Sequence, residues 1–240
     1  MPVSSLVDEL FERADGVSLA LVIRVRGEVV AERYGVQPES IFEPATPITA
    51  DSTLLSWSIA KSITHAAVGV LVGDGLLDLD APAPVPEWAG TPRADITTLQ
   101  LLEMRSGLRF VEDYVDDSVS HCIEMLFGDS GPSRAAYAAA LPLDHPPGSV
   151  YNYSSGTTNI IARIIGDVVT GGPGGGPTQR RPAQVTFLRT PFLVPPGLTT
   201  AVPQIDEAGG LIGWTFVCAT AHHLVSLGGL YRHHGGSQPG

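Results

Sequence analysis

Ser56-Trp57-Ser58-Ile59-Ala60-Lys61-Ser62 is the stretch from which the rest of this sequence can be read. It opens a run over residues 58–72 in which Ile59, Ala60, Ile63, Ala66, Ala67, Val70, Leu71 and Val72 leave only a narrow polar strip, and Gly73 and Gly75 end it. That pattern predicts a helix in the protein interior. Lys61 stands on it three residues after Ser58, so the amine and the hydroxyl project from one face within reach of each other. Lys61 is also the only lysine of the chain, every other strong cation being arginine. Arginine keeps its proton in a protein, whereas a lysine in apolar surroundings can release it near neutral pH and act as a base. A serine at a helix start meets unpaired backbone N–H groups and the positive end of the dipole, which stabilise charge on an attacked carbonyl oxygen. These residues suit a nucleophile activated without a histidine triad. By itself the four-residue pattern better suits a serine that caps a helix and a lysine that reaches into solvent.

Outward from this helix the pattern alternates. Leu6, Val7, Leu10 and Phe11 recur at helical spacing behind Ser4 and Ser5, which can cap the first turn, with Asp8, Glu9 and Glu12 on the other side. Residues 17–24 and 28–34 are rich in β-formers around Gly27, which reads as a hairpin. Further helices are expected over residues 97–105, stopped at Gly107, over 158–170, stopped at Gly171 and Gly172, and over 220–231. The glycine- and proline-dense residues 171–177, and the unpatterned 178–196 with Arg180, Arg181 and four prolines, read as a loop. Residues 235–240 read as a frayed tail. The expected organisation is one domain or two closely packed lobes: helix and hairpin in 1–50, a helical lobe in 51–170, the loop in 171–196, and a partial return to the first lobe in 197–240.

A formal charge of −11, with no lysine- or arginine-rich run, disfavours nucleic acid and anionic membranes as partners. No stretch approaches the roughly 20 apolar residues of a membrane span, and Asp8, Glu9 and Glu12 do not suit an export signal, so a cytoplasmic protein is expected. Cys122 and Cys218 are too far apart for a C-x-x-C pair and read as idle thiols. The pairs His222-His223 and His233-His234 lack the spaced partners of a metal site, so no metal is expected; His65, one turn past Lys61, reads as a core histidine. Glu112, Asp113, Asp116 and Asp117 read as a solvated loop at a pocket rim that could attract a cationic substrate end.

Three blocks carry a family resemblance. Residues 56–62 resemble the S-W-S-x-A-K-S segment of serine hydrolases of the class C β-lactamase group, particularly those similar to 6-aminohexanoate-dimer hydrolase. Leu101-Leu102-Glu103-Met104-Arg105-Ser106-Gly107-Leu108 resembles the family's L-L-x-M-x-S-G segment, followed by Glu112-Asp113-Tyr114. Pro146-Pro147-Gly148-Ser149-Val150-Tyr151-Asn152-Tyr153-Ser154-Ser155-Gly156 resembles its P-P-G-x-x-x-x-Y-S-S-G block. Order and separation across three blocks are far more specific than one S-x-x-K. The resemblance implies a β-lactamase-like α/β (α+β) fold: an antiparallel sheet flanked by helices, plus a mainly helical lobe. It implies Ser58 as nucleophile, Lys61 as base and Tyr153 as proton shuttle, with Tyr151 misplaced relative to Gly148. Trp57, Tyr114 and Ser155, the last where many relatives carry asparagine, are the implied substrate contacts. The implied reaction is hydrolysis of a small amide or ester through an acyl-enzyme, without metal or organic cofactor. β-Lactams or D-alanyl-D-alanine ends are the alternative substrates, and a non-catalytic binding relative is the alternative class.

The resemblance covers residues 17–169 and resumes more weakly around 196–231, where Gly213-Trp214-Thr215-Phe216-Val217-Cys218-Ala219-Thr220-Ala221 looks like the lead into a late helix. Relatives carry a third motif, of the K-T-G or H-x-G type, beyond that point. His234-Gly235-Gly236 is in the wrong place to substitute for it. The hairpin over residues 17–34 would then lack later strands to complete its sheet, so a truncated chain with an incomplete sheet is expected. Residues 178–196 look scrambled against relatives that carry an ordered helix there.

Overall fold

A computed structural model describes residues 2–13, 15–114, 119–189, 200–215 and 217–232. The chain is mixed α/β and divides into two compact units, the first from the described residues of 1–55, 193–202 and 218–240, the second from those of 56–192 and 203–217. Among the described residues no helix is long and apolar enough to cross a membrane.

The first unit is organised by its hairpin. Strands β1 (Ala20–Val25) and β2 (Glu28–Tyr34) pair antiparallel with Val25 opposite Glu28, leaving a two-residue turn of Arg26 and Gly27, both at positive φ. Two left-handed residues give a turn whose twist matches that of the strands, which is why glycine is needed there. Helix α1 (Val3–Phe11) packs on β2, where Arg33 pairs with Asp8 and lies 5.0 Å over the Phe11 ring. Pro2, not Ser4 or Ser5, precedes its first turn; both serines lie within the helix and no side chain caps it. Helix α8 (Ala221–Arg232) packs on β1, and His222 Nε2 meets Glu32 Oε2 at 2.8 Å. Short strands β3 (Val36–Gln37) and β4 (Thr46–Pro47) pair with each other. Strand β5 (Leu54–Leu55) pairs antiparallel with β7 (Val217–Ala219), and β6 (Val202–Pro203) is the remaining short strand.

The second unit is built around α6 (Ser155–Val169), whose residues from Ser155 to Asp167 are all buried. Ile160, Ile161, Ile164 and Ile165 each contribute about 1.5–3 kcal/mol by leaving water. The helix also takes two charges inside by pairing them: Arg163 forks onto Glu87 at 2.6 and 2.9 Å, and Asp167 meets Arg180. This corrects the expectation for the Ser58 helix. Helix α2 (Ala60–Gly73) buries one stripe, Ala60, Ile63, Ala67, Val68 and Leu71, and leaves His65 exposed, so His65 is not a core histidine. The interior helix is α6, around which α2, α3 (Thr98–Leu102), α4 (His121–Phe127), α5 (Arg134–Ala140) and α7 (Pro177–Leu188) pack.

Helix α7 occupies the stretch expected to be a loop. Pro177 suits its first turn, but Pro182 lies inside it, which removes a hydrogen bond and hides the helical pattern. Tertiary contacts hold it: Gln184 is buried and accepts from Leu211 N at 2.8 Å, and Leu188 is buried. An ordered helix here also counts against a scrambled sequence; residues 190–199, like the expected tail, lie outside the described residues. The 97–105 helix is shorter than expected, opened by a Thr97–Gln100 capping box. Gly107 has φ +78°, and a methyl there would collide with the His145 carbonyl oxygen, so glycine is required at that turn.

Candidate active site

Ser58 lies in a single 3-10 turn, Trp57–Ile59, that runs directly into α2. The turn is anchored from behind: Ser56 is buried, its N–H donates to Val217 O at 3.0 Å, and Ile59 N–H donates to Ser56 O at 3.1 Å. Trp57 adopts φ +46°, the left-handed region that an indole-bearing residue enters only at a cost of roughly 1–3 kcal/mol. That backbone turn leaves Ser58 exposed at the head of the helix, with the Trp57 ring about half exposed beside it.

Lys61, in the first turn of α2, reaches back along its face. Its Nζ donates to Ser58 Oγ at 3.1 Å and to the Trp214 carbonyl oxygen at 3.2 Å. The same nitrogen lies 4.9 Å from the Tyr153 ring centroid and 5.5 Å from that of Trp214, so the amine is half-buried between two rings. Trp214 is itself buried, and Thr64 Oγ1, one turn beyond Lys61, donates to Gly213 O at 2.8 Å to seat that segment. Tyr153 arrives from the extended residues just before α6, and its hydroxyl donates to Ser58 Oγ at 2.9 Å. Ser58 Oγ therefore receives both groups at hydrogen-bond distance, from α2 and from a segment 95 residues further along the chain. Tyr151, the other tyrosine of that block, is exposed and is not among the partners of Ser58.

The three implied substrate contacts divide. Trp57 is exposed next to Ser58. Ser155 is wholly buried, and both its N–H and its hydroxyl donate to the Glu112 carboxylate at 2.8 Å, which corrects its reading as a substrate contact. Tyr114 keeps its ring exposed while its hydroxyl donates to Glu112 Oε1 at 3.1 Å and meets Cys122 Sγ at 2.9 Å. Burial, then these neighbours, push the Tyr114 phenol far above its ordinary value. Glu112 is thus an internal acceptor and not part of a solvated rim; Asp116 and Asp117 lie outside the described residues.

Two groups beside this network had no distinct sign in the sequence. Cys122 is fully buried against Phe110, Met125 and Trp214, and burial pushes its thiol up, so it is an unreactive thiol of the core; Cys218 is free as well. His121 is buried, accepts from Val111 N–H on Nδ1 at 2.8 Å, and packs beside Phe110 and Tyr137. Burial lowers its basicity. A histidine whose folded pKa is depressed contributes stability that is complete above its unfolded value of about 6.5 and is lost as pH falls from there through the folded value. His121→Asn therefore gains on the parent as pH is lowered below about 6.5, which thermal melts of both proteins from pH 8 to pH 5 will read. A constant difference in Tm across that range would remove His121 from the acid response.

Among the described residues no group of three or more His, Cys, Asp or Glu side chains could hold a metal ion. His222 is engaged by Glu32, and His233 and His234 lie outside the described residues.

Comparison with known proteins bears on the family and the fold. The family model described as Beta-lactamase matches residues 3–173. A 6-aminohexanoate-dimer hydrolase of Paenarthrobacter ureafaciens is 32% identical over 111 residues, covering 45% of this chain and 26% of that one. Among solved structures, a Bacillus anthracis protein provisionally named 6-aminohexanoate-dimer hydrolase superposes with a TM-score of 0.73 at 20% identity, over 96% of this chain and 57% of its own. A class C β-lactamase from Rhodobacter sphaeroides gives 0.61 at 17% identity, over 98% of this chain and 66% of its own. The chain thus spans little more than half of the first of these structures, and the structural likenesses speak to the fold.

Proposed function

The chain belongs to the β-lactamase family, and from that premise we propose that it is a serine hydrolase cleaving a small amide or ester through an acyl-enzyme on Ser58. The observation that carries the reading is the meeting of Lys61 Nζ and Tyr153 OH on Ser58 Oγ, at 3.1 and 2.9 Å. Both distances lie within the reach needed to move a proton.

In the first step Ser58 Oγ bonds to the substrate carbonyl carbon while its proton passes to Lys61 Nζ, which accepts it on a lone pair. The carbonyl oxygen becomes an oxyanion, stabilised by N–H groups at the head of α2. Collapse re-forms the carbonyl and breaks the bond to the leaving nitrogen or oxygen. Tyr153 delivers a proton to that leaving group and is replenished from the Lys61 ammonium. Water then adds to the ester of Ser58, giving up its proton along the same path, and releases the acid with Ser58 restored. An amide suits this apparatus because a leaving amine must be protonated as it departs. The Trp214 carbonyl supports the reading by fixing the amine beside Ser58.

Incubation with a fluorophosphonate followed by intact-protein and peptide mass spectrometry tests the proposal: one adduct is expected, on Ser58. No adduct under conditions that label a relative would sink it. Rapid nitrocefin hydrolysis in the same preparation would move the substrate class to β-lactams.

A further inference from the structure

Tyr153 has little on its own segment to hold it. It sits on extended backbone, partly exposed, after the Pro146–Gly148 turn, yet its hydroxyl must stay within a few tenths of an ångström of its place to act on Ser58. Its neighbours on either side are tied elsewhere. Asn152 N–H donates to Met104 O at 2.8 Å, and Asn152 Nδ2 donates to Phe110 O at 3.1 Å. Two residues beyond Tyr153, Ser155 gives both its donors to Glu112. Residues 110–112 therefore grip the chain just before and just after the phenol.

Within that grip the carboxylate of Glu112 does what its neighbours cannot. Ser155 is the first residue of α6, and its N–H is one of the donors a helix start leaves without an intrahelical acceptor. Ser154 Oγ satisfies Thr157 N–H at 3.0 Å, so the Ser155 N–H needs a different acceptor. Half-buried Glu112 Oε2 supplies it, and its negative charge also meets the positive end of the helix dipole. Oε1 meanwhile accepts from the Ser155 hydroxyl and from Tyr114 OH. No neutral side chain of that length offers two oxygens for these donors.

We propose that Glu112 is a positioning residue for Tyr153, holding the phenol against Ser58 by clamping the start of α6. The inference rests on the reading of Ser58 and Tyr153 given above. Its signature is selective. A leaving amine requires the proton that Tyr153 delivers, whereas a p-nitrophenolate leaves without one, so a misplaced phenol slows amides and spares activated esters.

The test uses the full chain with a short aminoacyl p-nitroanilide and the matching p-nitrophenyl ester. For Glu112→Ala, kcat/KM on the anilide is expected to fall about 100-fold, the scale of a misplaced reacting group, while kcat/KM on the ester, which likewise reports acylation, stays within about threefold. Glu112→Gln, which keeps the shape and one oxygen, should lose roughly tenfold on the anilide and carries the test if the alanine variant does not fold. In a Tyr153→Phe background, Glu112→Ala should cost nothing further. Equal losses on both substrates, or losses that multiply in the double variant, would overturn the proposal, as would unchanged anilide turnover. If the unaltered chain turns over neither substrate and takes no fluorophosphonate, the hydrolase reading itself falls. A crystal structure of Glu112→Gln then decides the clamp alone: a phenol still 2.9 Å from Ser58 Oγ would refute it, and one displaced beyond about 3.5 Å would support it.

Discussion

Lys61→Arg is expected to reduce acylation of Ser58 by at least about 10³-fold, the upper range of what a positioned base contributes, while leaving the fold intact. The nitrogen of Lys61 stands 3.1 Å from Ser58 Oγ and 3.2 Å from the Trp214 carbonyl, between two aromatic faces. A guanidinium can take that place: it stacks on rings, donates to the carbonyl and stays charged. It has no lone pair to offer the serine proton, because it remains protonated in proteins. Binding and folding should therefore survive where proton transfer fails. The rate of fluorophosphonate adduct formation, read by intact mass alongside a thermal melt, measures this directly. Equal rates in the two proteins would remove Lys61 from the mechanism.

Tyr153→Phe is the second large expectation. The ring remains, and with it the contact 4.9 Å from Lys61 Nζ, but the hydroxyl 2.9 Å from Ser58 Oγ is gone. The kcat/KM on an anilide should drop about 10³-fold and that on a p-nitrophenyl ester by less than about tenfold, since kcat/KM reports acylation and only the first leaving group needs its proton. A uniform drop on both substrates would mean that the phenol orients Ser58 and does not shuttle a proton.

The parts of the molecule that were legible in the sequence are those whose physics is local. The hairpin was readable because β-formers flank a glycine at a two-residue turn, and the α1, α2 and α8 patterns survive because each helix keeps one face wet. Ser58 and Lys61 were readable because three residues on a helix bring side chains together whatever else the chain does. Tyr153 needed the resemblance, since only packing of α6 against α2 carries it across 95 residues. The depth of helix α6 is not legible locally, because Arg163 and Asp167 go inside only by pairing with Glu87 and Arg180, residues distant in the chain. Helix α7 leaves no helical period in the sequence because Pro182 interrupts it, and it is held by Gln184 and Leu188, contacts without local trace. Ser155 reads as a substrate contact only through the resemblance, and Glu112 reads as part of a wet loop because a half-buried carboxylate that accepts from a helix start looks, by itself, like surface. The Trp214 carbonyl beneath Lys61 is a backbone atom, which no side-chain pattern announces.

The placement of the amine beside an indole also makes the site readable by light. An excited indole carries a larger dipole than its ground state, so a charge appearing or vanishing 5.5 Å from its centre shifts the colour of its emission. Trp214 is shielded from water, which keeps solvent relaxation from masking the shift. On the proposed mechanism, each arrival and departure of a proton on that amine should shift the emission of Trp214, read against the steady background of Trp57 and Trp88, so turnover would be followed with no dye and no chromogenic substrate.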